Sequence, residues 1–339
     1  MLTIDGSQGE GGGQVLRTSL ALSLITSQAF RLTNVRARRP KPGLMRQHLT
    51  AVLAAQQVGQ AEVTGAVVGS REITFRPGRV LGGTFTFSVG TAGSATLVAQ
   101  TVLPALMLAP APSSLALEGG THNTHAPPFD FLERTYLPIL RRMGPRVVAT
   151  LDRPGFYPAG GGRFRLEVQP SALRSIDLDE RGETVAHRAV ARVASLPKAI
   201  ADRELRVLSE RLGWDRSCLR HERVLDADGP GNVVLAEIES RHVTEVFTGF
   251  GERGVRAETV AGRLADEVTA YLASGAAVGQ HLADQLLLPF ALAGGGSFRT
   301  VEPSQHARTQ ADVVRAFLGV ETRMGAMGPN LWRVDVAGG

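Results

Sequence analysis

Gly6-Ser7-Gln8-Gly9-Glu10-Gly11-Gly12-Gly13-Gln14-Val15-Leu16-Arg17 is the stretch around which the chain is organised. The short apolar segment Leu2 to Ile4 precedes it, and Leu16, Leu20 and Leu24 follow at helical spacing. It therefore reads as a strand, a glycine loop and a helix start. Such a junction gathers free backbone N–H groups and the positive end of a helix dipole, where an anion is favoured. Glu10, Gln14 and Arg17 are spaced i, i+4, i+7, and they share a face if the helix begins by Glu10. Glu10 would then be placed to hold a divalent cation and Arg17 a phosphate. A tight turn explains the glycines as well. The stretch matches neither G-x-x-x-x-G-K-[ST] nor G-x-G-x-x-G, because Gln14 stands where the last glycine would be.

The 339 residues allow a large core and two domains. No apolar run is long enough to span a bilayer, and no signal-peptide pattern opens the chain, so a cytoplasmic protein without membrane attachment is expected. Cys218 is the only cysteine and is expected to be a small buried filler, with no internal disulfide or thiolate metal cluster. Charge is more informative. From Gly11 to Ala61 there is no acidic residue, yet the stretch carries Arg17, Arg31, Arg36, Arg38, Arg39, Lys41 and Arg46. A solvated surface mixes signs, so this run points to a polyanionic ligand, for which nucleotide and RNA both qualify. Lys41 and Lys198 are the only lysines. Arginine supplies the rest of the positive charge and suits forked contacts to phosphate, although genomic base composition also favours it.

Three segments share one order of elements. The first has strand 2–5, helix 13–26, strand 29–35, helix 43–58 ending at Gly59, then strands near 61–67 and 71–76. The second has strand 84–90, helix 94–108, strand 113–118, helix 127–143 ending at Gly144, then strands near 146–152 and 163–168. The third has helix 280–293, strand 297–301, helix 304–318 ending at Gly319, then strands near 320–324 and 331–336. Its first strand is expected at 175–178. Each glycine is the expected helix terminator, and Pro104 and Pro138 predict kinks or earlier ends. Residues 181–274 differ in character and read as a small inserted α/β domain, leaving 1–180 and 275–339 as the main domain.

Pro303 and Ser304 resemble a helix entry, which puts His306 in a first turn. The helix dipole disfavours a charged imidazole there, and a neutral imidazole is a nucleophile. Neither lysine lies in a Lys-x-Asp-Gly context, so histidine is the better candidate for a covalent nucleotide carrier. A capping or packing histidine is the alternative. His281, Asp284 and Gln285 open a helix after the third glycine loop; they suit contacts to a base or ribose, or simply serve as first-turn partners. His122 and His125 form an H-x-x-H pattern without an evident third ligand, so no metal site is expected there. His48 lies in the basic helix, either near phosphate or facing solvent. His187, His221 and His242 look like ordinary strand or surface residues.

Taken together, Asp5-Gly6-Ser7-Gln8-Gly9-Glu10-Gly11-Gly12-Gly13-Gln14, Lys41-Pro42-Gly43-Leu44-Met45-Arg46-Gln47-His48-Leu49, Gly155-Phe156-Tyr157-Pro158-Ala159-Gly160-Gly161-Gly162 and Leu282-Ala283-Asp284-Gln285 make the chain resemble the RNA 3′-terminal phosphate cyclases over nearly its full length. The resemblance implies an α/β fold of three repeated units, each two helices on a four-stranded sheet, with an inserted domain of thioredoxin-like topology. It implies ATP as co-substrate and an RNA 3′-phosphate end as partner. It also implies a three-step reaction through a His306–AMP adduct and an RNA(3′)pp(5′)A end to a 2′,3′-cyclic phosphate. By position, Glu10 would help bind Mg²⁺ or Mn²⁺. Arg17, Arg36, Arg39 and Gln47 would hold phosphates, and Gln100, Pro127, His281, Leu282, Ala283, Asp284 and Gln285 would form the adenosine pocket. Two departures stand out: His281 replaces a frequent tyrosine, and Thr309-Gln310 replaces a frequent Thr-Asn. Arginines on phosphate carry no base information, so little RNA sequence preference is expected. A monomer and a homodimer are equally compatible with the sequence.

Two rivals share parts of this pattern. A non-catalytic relative that acts in ribosome assembly has no need of His306. Enolpyruvyl transferases, also built from repeated α/β units, need no adenosine site.

Overall fold

The computed structural model describes residues 1–337. It opens with β1 (Leu2–Asp5), α1 (Gly13–Thr26), β2 (Phe30–Thr33), α2 (Arg46–Gly59), β3 (Glu62–Thr64) and β4 (Ile73–Arg76). The sheet order is β1-β2-β4-β3. β1 and β2 are parallel, with α1 as their crossover, and β4 is antiparallel to both neighbours. Next come β5 (Gly83–Ser88), α3 (Ala95–Met107), β6 (Ser113–Gly119), α4 (Phe129–Phe131), a π-helical turn (Leu132–Tyr136), α5 (Leu137–Met143), β7 (Arg146–Arg153) and β8 (Gly162–Gln169). Their sheet runs β5-β6-β8-β7.

β9 (Asp177–Leu178) is followed by a unit of its own: β10 (Thr184–Ala194), α6 (Lys198–Leu212), a 3₁₀ turn (Arg216–Cys218), β11 (Leu219–Val224), β12 (Gly231–Ser240), β13 (Thr244–Phe250) and α7 (Ala257–Ser274). Its sheet is ordered β11-β10-β12-β13. The chain then adds α8 (Gln280–Leu292), β14 (Gly296–Thr300), α9 (Gln305–Leu318), β15 (Thr322–Gly328) and β16 (Leu331–Val336), whose sheet β15-β16-β14-β9 recovers β9. One apolar core joins the first, second and last sheets with their helices, and a separate core fills residues 189–276. Leu16 and Leu20 of α1 are fully buried because α2, α3 and α9 pack around that helix. Among the described residues no helix is long and apolar enough to cross a membrane.

Local chemistry sets the expected boundaries. α2 ends at Gly59 as expected, but Gly59 is its last helical residue and Gln60 takes the left-handed cap at φ 47°. Glycine is needed at 59 for packing: a Cβ there would sit 2.1 Å from Leu24 Cδ2. Gly319 does terminate α9, at φ 70°. Pro104 lies inside α3 without ending it. Pro138 follows the π-helical turn, where Leu137 N–H reaches back to Leu132 O, a wider bond spacing that absorbs the break.

β13 meets the start of α8 at Glu245, whose buried carboxylate accepts the Gly279 N–H. Burial pushes this carboxyl up to about 8, against the Gly279 bond and with help from the charge of Glu267. The folded state thus holds a proton that the unfolded state has released between pH ~4.5 and about 8, so stability falls as pH rises through that window. The urea midpoint of the wild type is expected to drop from pH 5 to pH 8.5, and Glu245→Gln to flatten the drop. A slope identical in both proteins would contradict this.

Candidate active site

The carboxyl ends of β1 and β2 release two facing loops, the glycine loop and residues 34–45, at the edge where parallel α/β sheets take ligands. α1 starts at Gly13, so Glu10 lies in the loop and does not share a helical face with Gln14 and Arg17. Glu10 turns back instead. Its Oε1 accepts Gln14 N–H at 3.2 Å, and its Oε2 pairs with Arg39. Arg17 Nη2 donates to Gln14 Oε1 at 3.0 Å, and Gln14 Nε2 donates to Gln310 Oε1 at 2.8 Å. Glu10 N–H donates to Thr309 Oγ1 at 3.0 Å. α9 is thus fastened to the glycine loop at two points. Gly9 permits this: it stands at φ 59°, and a Cβ would lie 2.1 Å from Thr309 Oγ1.

His306, in the first turn of α9, is half-exposed with Nδ1 3.9 Å from Glu10 Oε1. Ser304 caps that helix through Ala307 N–H at 3.0 Å and donates to Asp284 Oδ1 at 2.5 Å. Asp284 is buried, and burial pushes its carboxyl up, against the Ser304 bond and the influence of His281 and His306.

Arg17, Arg36 and Arg39 gather around His48, which is buried rather than facing solvent. Burial, reinforced by these three cations, pushes the imidazole down to about 3, so the ring is neutral. Arg17 is itself pushed down to about 10, chiefly by burial, with Glu10 opposing and Arg39 reinforcing. Burial and Arg39 likewise lower Arg36, whose Nη1 holds its own loop by donating to Lys41 O at 2.7 Å and Gly43 O at 2.8 Å. A cationic cluster so poorly balanced by carboxylate is an anion site in waiting. Gln47 Oε1 accepts the Ser94 N–H at 2.9 Å, which ties the first turn of α2 to the start of α3.

A cleft of about 30 Å³ between α1, α3, α8, α9 and the π-helical turn is lined by Gln14, Arg17, Gln100, Tyr136, Gln285 and Gln310 among others. Gln100 Nε2 is buried there without a partner. Gln100 and Gln285 thus join the arginine side of the site. Leu282 and Ala283 bury their side chains in the core, which leaves only their backbone for a ligand. His281 is exposed, 3.9 Å from Glu267, and does not line the cleft. Pro127 O accepts from Thr96 Oγ1 at 2.7 Å.

Among the described residues, no three or more His, Cys, Asp or Glu side chains converge as a metal site. Among the described residues, Glu10 is the carboxylate that acts on Arg17, Arg36 and Arg39. Mg²⁺ commonly takes one or two carboxylates with the rest from phosphate and water, so Glu10 suits that donor set only with a phosphate ligand present. Cys218 is partly buried in its 3₁₀ turn, not a fully buried filler. His187 stacks on Trp214 at 4.6 Å.

A family model described as RNA 3′-terminal phosphate cyclase matches residues 8–324. The chain belongs to the RNA 3′-terminal phosphate cyclase family. It is 54% identical over 321 residues to the RNA 3′-terminal phosphate cyclase of Koribacter versatilis (strain Ellin345), covering 94% of this chain and 90% of that one. It is 49% identical to the one from Ectopseudomonas mendocina (strain ymp), over 97% of this chain and 96% of the relative. The solved enolpyruvyl transferase NikO from Streptomyces tendae aligns with 98% of this chain and 48% of its own, at 12% identity and a TM-score of 0.36, too slight a likeness to carry an argument. The family is one of ATP-dependent, ligase-type enzymes. Against that family, Thr309 and Gln310 matter more than a variant motif would indicate: three and four residues after His306, they share its helical side and grip the glycine loop. That spacing is the signal by which they could have been found.

Proposed function

We propose that this chain uses ATP to convert an RNA 3′-terminal phosphate into a 2′,3′-cyclic phosphate, through His306–AMP and RNA(3′)pp(5′)A. The observation that carries this is the meeting of His306, Glu10 and the three-arginine cluster at one loop junction. With Nδ1 on the Glu10 side, Nε2 is the nitrogen free to attack the α-phosphorus of ATP. The N–P bond forms, the Pα–O bond to the β-phosphate breaks, and pyrophosphate leaves. Glu10 stabilises the positive charge that the substituted ring acquires. An oxygen of the RNA 3′-phosphate then attacks the same phosphorus, the N–P bond breaks, and His306 returns neutral. Finally the 2′-hydroxyl oxygen attacks the 3′-phosphorus, its proton is released, and AMP departs. AMP is a far better leaving group than a bare phosphate oxygen.

Arg17, Arg36, Arg39 and Gln47 bind phosphates in this reading. Gln100, Pro127, His281, Asp284 and Gln285, with the backbone of Leu282 and Ala283, enclose adenosine. Glu10 with phosphate oxygens would hold Mg²⁺ or Mn²⁺, which when bound neutralises phosphate charge. We read residues 1–180 and 275–339 as a catalytic domain of three repeated units, and 181–274 as an insert of thioredoxin-like topology; the shared sheet orders support this. The test is incubation with ATP and a 3′-phosphorylated oligoribonucleotide. Phosphatase-resistant ends formed in step with AMP are expected. A folded chain that binds RNA but forms neither product would point to a non-catalytic binding role.

A further inference from the structure

The unit between β9 and α8 touches both walls assigned to adenosine. We propose that it braces the adenosine pocket, with Arg192 as the positioning residue through which it acts; this rests on the adenosine assignment of Pro127 and the start of α8.

The first wall is the loop 121–130, which carries Pro127. Its two ends are joined by Phe129 N–H to Thr121 O at 2.9 Å. They are joined again by side chains: Thr121 Oγ1 lies 2.8 Å from His122 Nδ1, and His122 Nε2 lies 2.9 Å from Asp130 Oδ2. Thr121, His122 and Asp130 are all buried. A carboxylate in that position is costly without a cation. The cation comes from the inserted unit: Arg192 on β10 donates through Nη1 to Asp130 Oδ2 at 2.6 Å, and its Nε donates to Glu222 Oε2 on β11 at 2.6 Å. Apolar contact follows the same line. Phe156 stacks on His122 at 5.4 Å and packs with Ala194, Val233, Leu235 and Val246 of the insert.

The second wall is α8, which bears His281, Asp284 and Gln285. Its N-terminal Gly279 N–H is held by Glu245 on β13 of the same inserted sheet. Arg134 to Glu237 at 2.7 Å and Arg153 to Asp226 at 3.1 Å fix the insert on the main domain outside these contacts. One rigid sheet therefore sets the position of Pro127 and of the α8 start together. The arginine cluster that faces phosphate has no such tie among the described residues; it is held by α1, α9 and its own loop.

The brace thus predicts a loss confined to the adenosine moiety. Dissociation constants for ATP and for inorganic pyrophosphate are measured by equilibrium dialysis on a His306→Ala background, which keeps chemistry out of the readout. The variants are Arg192→Lys and the double change Arg192→Met with Asp130→Asn, which leaves no unpaired buried charge. The double variant is expected to weaken ATP about 10-fold, in the usual range for coupled elements. Pyrophosphate should stay within about two-fold, and Arg192→Lys, which keeps a cation beside Asp130 but cannot hold both carboxylates in one fork, should weaken ATP less than the double variant does. Equal weakening of both ligands, or of neither, overturns the brace. Tight ATP binding that responds as expected, in a wild type that never forms an AMP adduct, would instead sink the cyclase reading and leave the brace standing.

Discussion

His306→Ala is expected to abolish AMP attachment and cyclisation of 3′-phosphorylated RNA, by about four orders of magnitude or more, the scale seen when a covalent nucleophile is removed. The change is structurally mild. The ring is half-exposed, and helix α9 keeps its Ser304 cap and its Thr309 and Gln310 contacts with the glycine loop. Alanine also favours the helix. The measurement is incubation with α-labelled ATP and Mg²⁺ or Mn²⁺, then a denaturing gel. Wild type should carry an acid-labile, alkali-stable label, and the variant none. The same variant supplied with RNA(3′)pp(5′)A should still close the cyclic phosphate, because the last step forms no bond to histidine. A label that persists in the variant would place the nucleophile elsewhere.

Arg17→Met lowers kcat/KM for ATP by about 10²–10³-fold, the usual result of removing a preorganised donor to developing phosphate charge, and yet makes the protein more stable. Arg17 has a side-chain amide as its hydrogen-bond partner, not a carboxylate, and its neighbours include two further guanidinium groups and a neutral His48. Burial disfavours its charge in the folded chain without ligand. Methionine fills similar volume without that penalty, so a gain of about 1 kcal/mol is expected, as is common where a site trades stability for function. Urea midpoints and ATP kinetics on one preparation check both halves. A fall in stability together with activity would show that Arg17 holds the fold rather than the ligand.

The glycine loop and the leucine stripe after it foretold β1 and α1 to the residue, because both report backbone conformation locally. The shared face of Glu10, Gln14 and Arg17 depended on a helix that begins by Glu10, and α1 begins only at Gly13, so that condition is not met. At Gly59 the helix end was right and the capping role was not: the demand for glycine comes from Leu24 on a neighbouring helix, and Gln60 makes the left-handed turn. Of the two settings open to His48, the structure gives the one beside the arginines and not the solvent-facing one, and Cys218 is less buried than expected, since burial depends on what packs from elsewhere. Asp130 and Arg192 carry no mutual spacing pattern; only the packing of β10 against the 121–130 loop joins them. The gathering of Arg17, Arg36 and Arg39 and the first-turn position of His306 were legible because charge bias and a helix entry survive without a structure.

Glu10 and Thr309 are joined across 299 positions. The proposed nucleophile and the proposed phosphate cluster therefore come from segments far apart in sequence, and in that reading neither is useful without the other. A nick that lets the last sheet and its helices drift away would then silence the chemistry without altering a reactive group. In practice, transfer of one labelled AMP would also count the chains in which these two segments have packed together.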